Sequence, residues 1–361
     1  MKTYWLSTHV GYACRHSGAC CTSRWPIPIE RDRTAGVQGA IDAGRLSPAV
    51  TPWFQPDPTA PGEVAGILSQ QPGGACVFRG PSGCAIHGTR PRSCEHFPYV
   101  CVIDARGIHV TLSHYCPTAA EMLFHPGVPE VVDGPPIFAD GRMPEGLDAR
   151  ESLPPTRMAA GDADADSGAA DCADTGAADC ADYADTGAAD CADHSRNGSR
   201  QPHALAASHA PRLMDWDEVT RWEQAAVRAV AAVTRVPAPP DLALFEHARA
   251  AVPPPLTWPA APERLDAVWA EGVAPSWPEW STVIGRYLAS KVHASWAMFL
   301  ASGPADVVRG VDIARAVLQV EATRQCTHAA RALDKALLRE ALRQSDLLLI
   351  HHADPFILAR P

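Results

Sequence analysis

Cysteine is the residue of this chain best able to do chemistry, and eight of its twelve cysteines fall between Cys14 and Cys116. The first group reads Tyr12-Ala-Cys14-Arg-His-Ser-Gly18-Ala-Cys20-Cys21. Thiolates are soft, anionic ligands that hold zinc or iron when several converge on one point, and Gly18 lets the backbone bend tightly around such a point. Neighbouring side chains diverge in an extended chain. Cys20 and Cys21 therefore suit different irons of one cluster, or different centres, better than one mononuclear ion. The second group runs Cys76-x7-Cys84-Ala-Ile-His87-Gly-Thr-Arg90-Pro91-Arg-Ser-Cys94-Glu-His-Phe97-Pro98, with Cys101 and Cys116-Pro117 after it. These spacings are looser than zinc-finger pairs, and the bacterial ferredoxin run is absent. Cys14, Cys20, Cys21, Cys76, Cys84, Cys94, Cys101 and Cys116 are the candidate metal ligands, either of an iron–sulfur cluster, with four irons and four sulfides favoured, or of zinc.

Charge and composition narrow the setting. The formal net charge is −10 over 361 residues. Ten Asp and no Lys or Arg lie between Gly161 and Asp193, so this stretch equals the whole excess. The remainder is close to neutral and lacks the basic footprint of a nucleic-acid binder. The start carries no apolar run of a secretory signal, and no window approaches the length of a membrane span. A cytoplasmic location is expected, where clustered cysteines mean metal more often than disulfide.

The elements that must position the thiols predict an α+β chain in three parts. Residues 1–125 form a small Cys-rich metal-binding domain with short hairpins. One is built on Cys76-Val-Phe and Cys84-Ala-Ile around Gly80-Pro-Ser-Gly83, the other on Val100–Ile103 and Ile108–Leu112 around Asp104-Ala-Arg-Gly107. Such pieces bury little apolar surface, so a metal is the expected staple. Residues 126–210 read as an acidic linker, expected to be disordered, in which Gly-Ala-Ala-Asp-Cys-Ala-Asp begins at Gly168, Gly176 and Gly187. Cys172, Cys180 and Cys191 recur because the repeat does. Residues 211–356 predict a helical bundle. Asp215-Trp-Asp-Glu218 is an N-terminal cap, and helices follow over Trp277–Leu300, Val307–Val320 and Leu333–Ile350.

Three segments carry a resemblance: Cys14-x5-Cys20-Cys21, then Cys84-Ala-Ile-His87-x2-Arg90-Pro91-x2-Cys94-x2-Phe97-Pro98, then Ser113-His-Tyr-Cys116-Pro117. Over residues 10–120 the chain resembles the YkgJ-type cysteine-cluster family, a zinc- or iron-chelating domain whose members include flagellin lysine N-methylase. Ile284-Gly-Arg-Tyr-Leu-Ala-Ser-Lys291 and Ala341-Leu-Arg-Gln-Ser-Asp-Leu-Leu-Leu349 are similar to the C-terminal part of longer members. Two features depart from the family pattern: Arg15 to Ala19 holds no further Cys, and His87 stands where an aromatic residue is common. The resemblance implies either a thiolate centre that organises the fold or serves redox chemistry, or an enzyme using an iron–sulfur cluster and S-adenosylmethionine on a protein lysine.

The other candidates have plainer readings. Arg90-Pro91 either fixes the backbone before Cys94 or lends positive charge to an anionic cluster. His87 is more readily a hydrogen-bonded structural residue than a ligand. Glu95 and His96 are surface groups or outer partners of ligands. Cys326 and His328 read as helix packing, and His351-His352 as solvated. No phosphate loop, nucleophile elbow, zinc-protease helix or radical C-x3-C-x2-C triplet occurs.

Overall fold

The computed structural model describes residues 1–60, 62–157, 212–232, 238–300 and 303–359, and they form a mixed α+β fold. Strand β1 (Thr3–Leu6) precedes the one-turn segment Ala19–Cys21. Strands β2 (Pro28–Glu30), β3 (Phe54–Pro56) and β4 (Val64–Leu68) make a small antiparallel sheet in the order β2-β4-β3, covered by helix α1 (Arg31–Asp42). The Gly80-Pro-Ser-Gly83 turn does close a hairpin, but a short one, β5 (Arg79–Gly80) and β6 (Gly83–Cys84). The expected Cys76-Val-Phe strand does not form, since Cys76 bridges Gln70 and Val77-Phe78 turn. Helix α2 (Arg92–His96) follows.

The second expected hairpin, β7 (Tyr99–Ile103) and β8 (Ile108–Leu112), lies in a five-stranded sheet ordered β10-β7-β8-β1-β9. Its turn needs Gly107, whose φ is +153° and whose added Cβ would lie 2.6 Å from the Lys2 carbonyl oxygen. β1 runs parallel to β8, with Trp5 opposite Val110. Helix α3 (Pro117–Met122) starts directly after β8.

Residues 126–157 do not behave as the expected linker. β9 (Val131–Asp133) pairs with β1, and β10 (Leu147–Asp148) pairs with β7. Arg286 holds this segment from the helical side, donating from Nη1 to Leu123 O and from Nε to Gly127 O, both at 2.8 Å. The last carbonyls of α3, of Ala120, Glu121 and Met122, accept instead from the backbone N–H groups of Leu123, Phe124 and His125. The heptapeptide repeats, with Cys172, Cys180 and Cys191, lie outside the described residues.

Helix α4 (Trp216–Ala231) opens on a reciprocal cap in which Asp215 accepts from Glu218 N–H and Glu218 accepts from Asp215 N–H. Helix α5 (Leu242–Ala250), helix α6 (Ser281–Val292), helix α7 (Pro304–Ala329) and helix α8 (Lys335–Asp346) complete the bundle. The predicted helix Trp277–Leu300 is broken. Its backbone turns extended at His293 and left-handed at Ala294, so Trp296, Phe299 and Leu300 belong to a separate turn. His293 sits at the break, its ring fully buried and bonded to Glu223 of α4 and to the Tyr4 carbonyl of β1. α4 and α6 cross closely, because a Cβ on Gly285 would stand 2.5 Å from Ala231 O.

The expected division near residue 125 does not separate the packing. Leu6 of β1 and Leu123 share one core with Tyr287, Leu288, Leu318 and Leu342.

Candidate thiolate centre

One cleft collects the thiols, lined by Cys14, Cys20, Cys21, Cys76, Cys84, Cys94 and Cys116 with Tyr12, His87 and Arg90. Gly18, with φ +73°, starts the tight turn that carries Cys20 and Cys21. Cys76 is held against that turn by its own N–H, which donates to Cys21 O at 2.7 Å. Cys84 comes from β6, Cys94 from α2, and Cys116 stands just before α3, where Pro117 begins the helix. The thiol of Cys21 faces those of Cys20, Cys76 and Cys84. Among the eight candidates Cys101 alone is not brought to this cleft. It is fully buried in the five-stranded sheet, with its sulfur 3.8 Å from His96 Nε2, and burial pushes its thiol up.

The electrostatics divide the group, favouring thiolates at Cys20, Cys76 and Cys84 around a protonated Cys21. Hydrogen bonding from Cys21 is the largest influence on Cys84, whose pKa falls to about 6 against the opposing effect of burial, with the Ile86 backbone and the Arg90 cation adding to the fall. Cys20 and Cys76 are lowered for the same leading reason, while Cys21 is raised by holding the shared proton. Cys94 is raised, first by burial and then by the neighbouring thiols. Arg90 also donates from Nη1 to His87 Nε2 at 2.9 Å. At the mouth, His16 and His87 lie edge to face with centroids 4.1 Å apart, and their nitrogens converge with the exposed Cys14 sulfur within 4.8 Å.

No family model matches the chain, and no curated protein or solved structure is found similar to it.

A buried network that sequence patterns alone did not mark is joined to the chain at His114, two residues before Cys116. Asp346 Oδ2 accepts from the His114 backbone N–H at 2.6 Å and from His114 Nδ1 at 2.9 Å. Its Oδ1 accepts from Tyr287 Oη at 2.9 Å and from Lys291 Nζ. His9 Nε2 meets His114 Nε2 at 3.1 Å. Burial disfavours the Asp346 carboxylate, but Lys291 and His114 override it and hold the carboxyl well below its usual range. Burial pushes the Lys291 ammonium down, with Asp346 opposing.

Each residue of Ser113-His-Tyr-Cys116-Pro117 thus has a task. Ser113 Oγ bonds His351 Nε2 at 2.7 Å, His114 meets Asp346, Tyr115 Oη meets Thr22 Oγ1 at 3.3 Å, and Cys116 lines the cleft. His351 and His352 are not solvated as expected. Trp25 and Phe97 pack on His351, and buried His352 bonds Ser23 O at 3.1 Å. Cys326 is buried in the main core, as packing requires. Glu95 pairs with Arg142 and Arg33 near the surface. The signal for the network was present in polar residues set inside apolar helices: Arg286 and Lys291 within α6, and Asp346 between Leu342 and Leu348.

Proposed function

We propose that this chain is a cysteine-cluster protein of the YkgJ type that binds a polynuclear iron–sulfur centre through thiolates of the cleft. The observation that carries this reading is the convergence of seven cysteines from six separate stretches of chain on one cleft beside the Arg90 cation. The spread of the thiols supports a cluster over a single zinc ion. Zinc–sulfur bonds of about 2.3 Å in a tetrahedron place neighbouring sulfurs about 3.8 Å apart. Among the described residues no three thiols fall within 4.8 Å of one another. A cluster interposes its own iron and sulfide atoms and takes thiolates set further apart. Cys20, Cys21, Cys76, Cys84 and Cys94 are the principal ligand set; exposed Cys14, with His16 and His87 near it, lines the mouth, and buried Cys116 lines the cleft beside Tyr12. The centre would supply electron storage or a Lewis-acidic iron.

A second reading, the lysine methylase implied by the resemblance, draws support from buried ionisable groups next to the cleft. Lys291, Asp346 and His114 are bonded together, His114 lying two residues before Cys116 in the chain, the kind of setting in which catalytic groups are found. Anaerobic purification with iron and sulfide analysis and visible spectroscopy tests the first reading. A brown protein with broad absorption that bleaches on reduction is expected. A colourless protein with stoichiometric zinc refutes the cluster, and saturable S-adenosylmethionine binding by the brown form selects the methylase reading.

A further inference from the structure

His109 on β8, Glu223 on α4 and His293 after α6 are 3%, 5% and 0% exposed, and one donor atom of each lies within 4.8 Å of the others. They stand apart from the thiol cleft. The hydrogen bonds around them fix the imidazole protons. His293 Nε2 is 3.3 Å from the Tyr4 carbonyl oxygen, which only accepts, so a proton there leaves Nδ1 needing a second proton or a cation to meet another acceptor. That Nδ1 is 2.8 Å from Glu223 Oε1. His109 Nε2 donates to Asp104 Oδ1 at 3.2 Å, which leaves the His109 Nδ1 lone pair 3.9 Å from Glu223 Oε2 with no hydrogen-bond partner.

Two imidazole nitrogens therefore face one buried carboxylate, an arrangement that needs positive charge between them. A proton on His293 answers for one contact and leaves His109 Nδ1 orphaned. One cation answers for all three donors. The outer partners also match those of a metal site, where each ligating imidazole gives its other N–H to a carboxylate or a backbone carbonyl, here Asp104 and Tyr4. Arg106 Nη1 donates to Glu223 Oε2 at 3.0 Å and its remaining donors reach Asp104, so the guanidinium orients both acids from outside the triangle.

We propose that His109 Nδ1, His293 Nδ1 and the Glu223 carboxylate form a binding site for a divalent transition-metal ion, of which zinc fits two imidazoles and one carboxylate. The ion ties the sheet to two helices and stands independently of any centre in the thiol cleft.

The test uses the full chain, purified from zinc-replete cells, with metal analysis and X-ray absorption at the zinc edge. One equivalent of nitrogen- and oxygen-ligated zinc is expected. It persists when Cys20→Ser and Cys21→Ser empty the cleft, and it is lost in Glu223→Gln and in His109→Ala. Cobalt(II) supplied in place of zinc adds a readout on the unsubstituted chain: visible d–d bands without sulfur-to-metal charge transfer in the Cys20→Ser background. Absence of any nitrogen- and oxygen-ligated equivalent in the unsubstituted protein overturns the proposal even where the variants fail to fold. Retention of that equivalent in Glu223→Gln overturns it as well.

Discussion

Replacing Asp346 by Asn is the sharpest probe of how the helical bundle is fastened to the segment that carries Cys116. The carboxylate accepts four hydrogen bonds, from two His114 donors, the Tyr287 hydroxyl and the Lys291 ammonium. An Asn side chain keeps one acceptor oxygen and turns an NH₂ group toward donors, so about two of the four bonds are lost. Hydrogen bonds to a charged partner contribute about 1.5–3 kcal/mol each, which gives a loss of about 3–6 kcal/mol. Breaking a buried ion pair at one end costs about 3–5 kcal/mol because the other charge is stranded, and the two figures agree. A loss of about 4 kcal/mol is expected in urea unfolding at neutral pH, followed by fluorescence from the ten tryptophans. Adding Lys291→Met removes the stranded ammonium, so the double variant should recover about half of the loss. A loss under about 1 kcal/mol, or a double variant no more stable than the single one, would refute this account of Asp346 as the counter-charge of Lys291.

Cys20→Ser or Cys21→Ser should abolish bound iron, while Cys101→Ser and Cys326→Ser should leave the iron-to-protein ratio unchanged; iron analysis of the four variants decides. His9 is buried and His351 half-buried, and the pKa values of both are lowered, chiefly by desolvation, His351 to about 3. A histidine depressed on folding binds its proton more readily when unfolded. Stability should therefore be full above about pH 6.5 and fall as the pH drops below it, by up to about 1.4 kcal/mol per pH unit for each group. Urea midpoints that do not move between pH 7.5 and pH 5.5 would count against this. Gly285→Ala forces α4 and α6 apart at Ala231 O and should cost about 1–3 kcal/mol, read from the thermal midpoint.

How far the fold could be read depended on the range of the interactions involved. Both hairpin turns were legible because Gly80-Pro-Ser-Gly83 and Asp104-Ala-Arg-Gly107 are local turn signals, and the Asp215–Glu218 cap was legible because its partners are three residues apart. The break at His293 was not, since what His293 meets there is Glu223, seventy residues away. Residues 131–133 and 147–148 looked like linker because their pairing partners lie near residues 5 and 102. In the cleft, the residue types pointed to seven thiols that do converge, whereas nothing in the spacing around Cys101 shows that the alternation of β7 turns its side chain into the sheet core. The Asp346 network escaped a periodicity reading because one acid on an apolar helix carries no periodicity of its own.

The placement of β1 has a kinetic consequence. Four residues, 104–107, join β7 to β8, whereas pairing Thr3 with Ile108 closes a loop of about 105 residues. Chain-closure entropy grows as about 1.5RT ln n, so the second closure is about 3 kcal/mol less favourable than the first. The β7–β8 hairpin therefore offers an early template onto which the first strand docks late, between two neighbours it must meet together. A chain lacking residues 1–6 would keep the hairpin but leave β8 and β9 as open edges, the surface through which partly folded chains pair with one another.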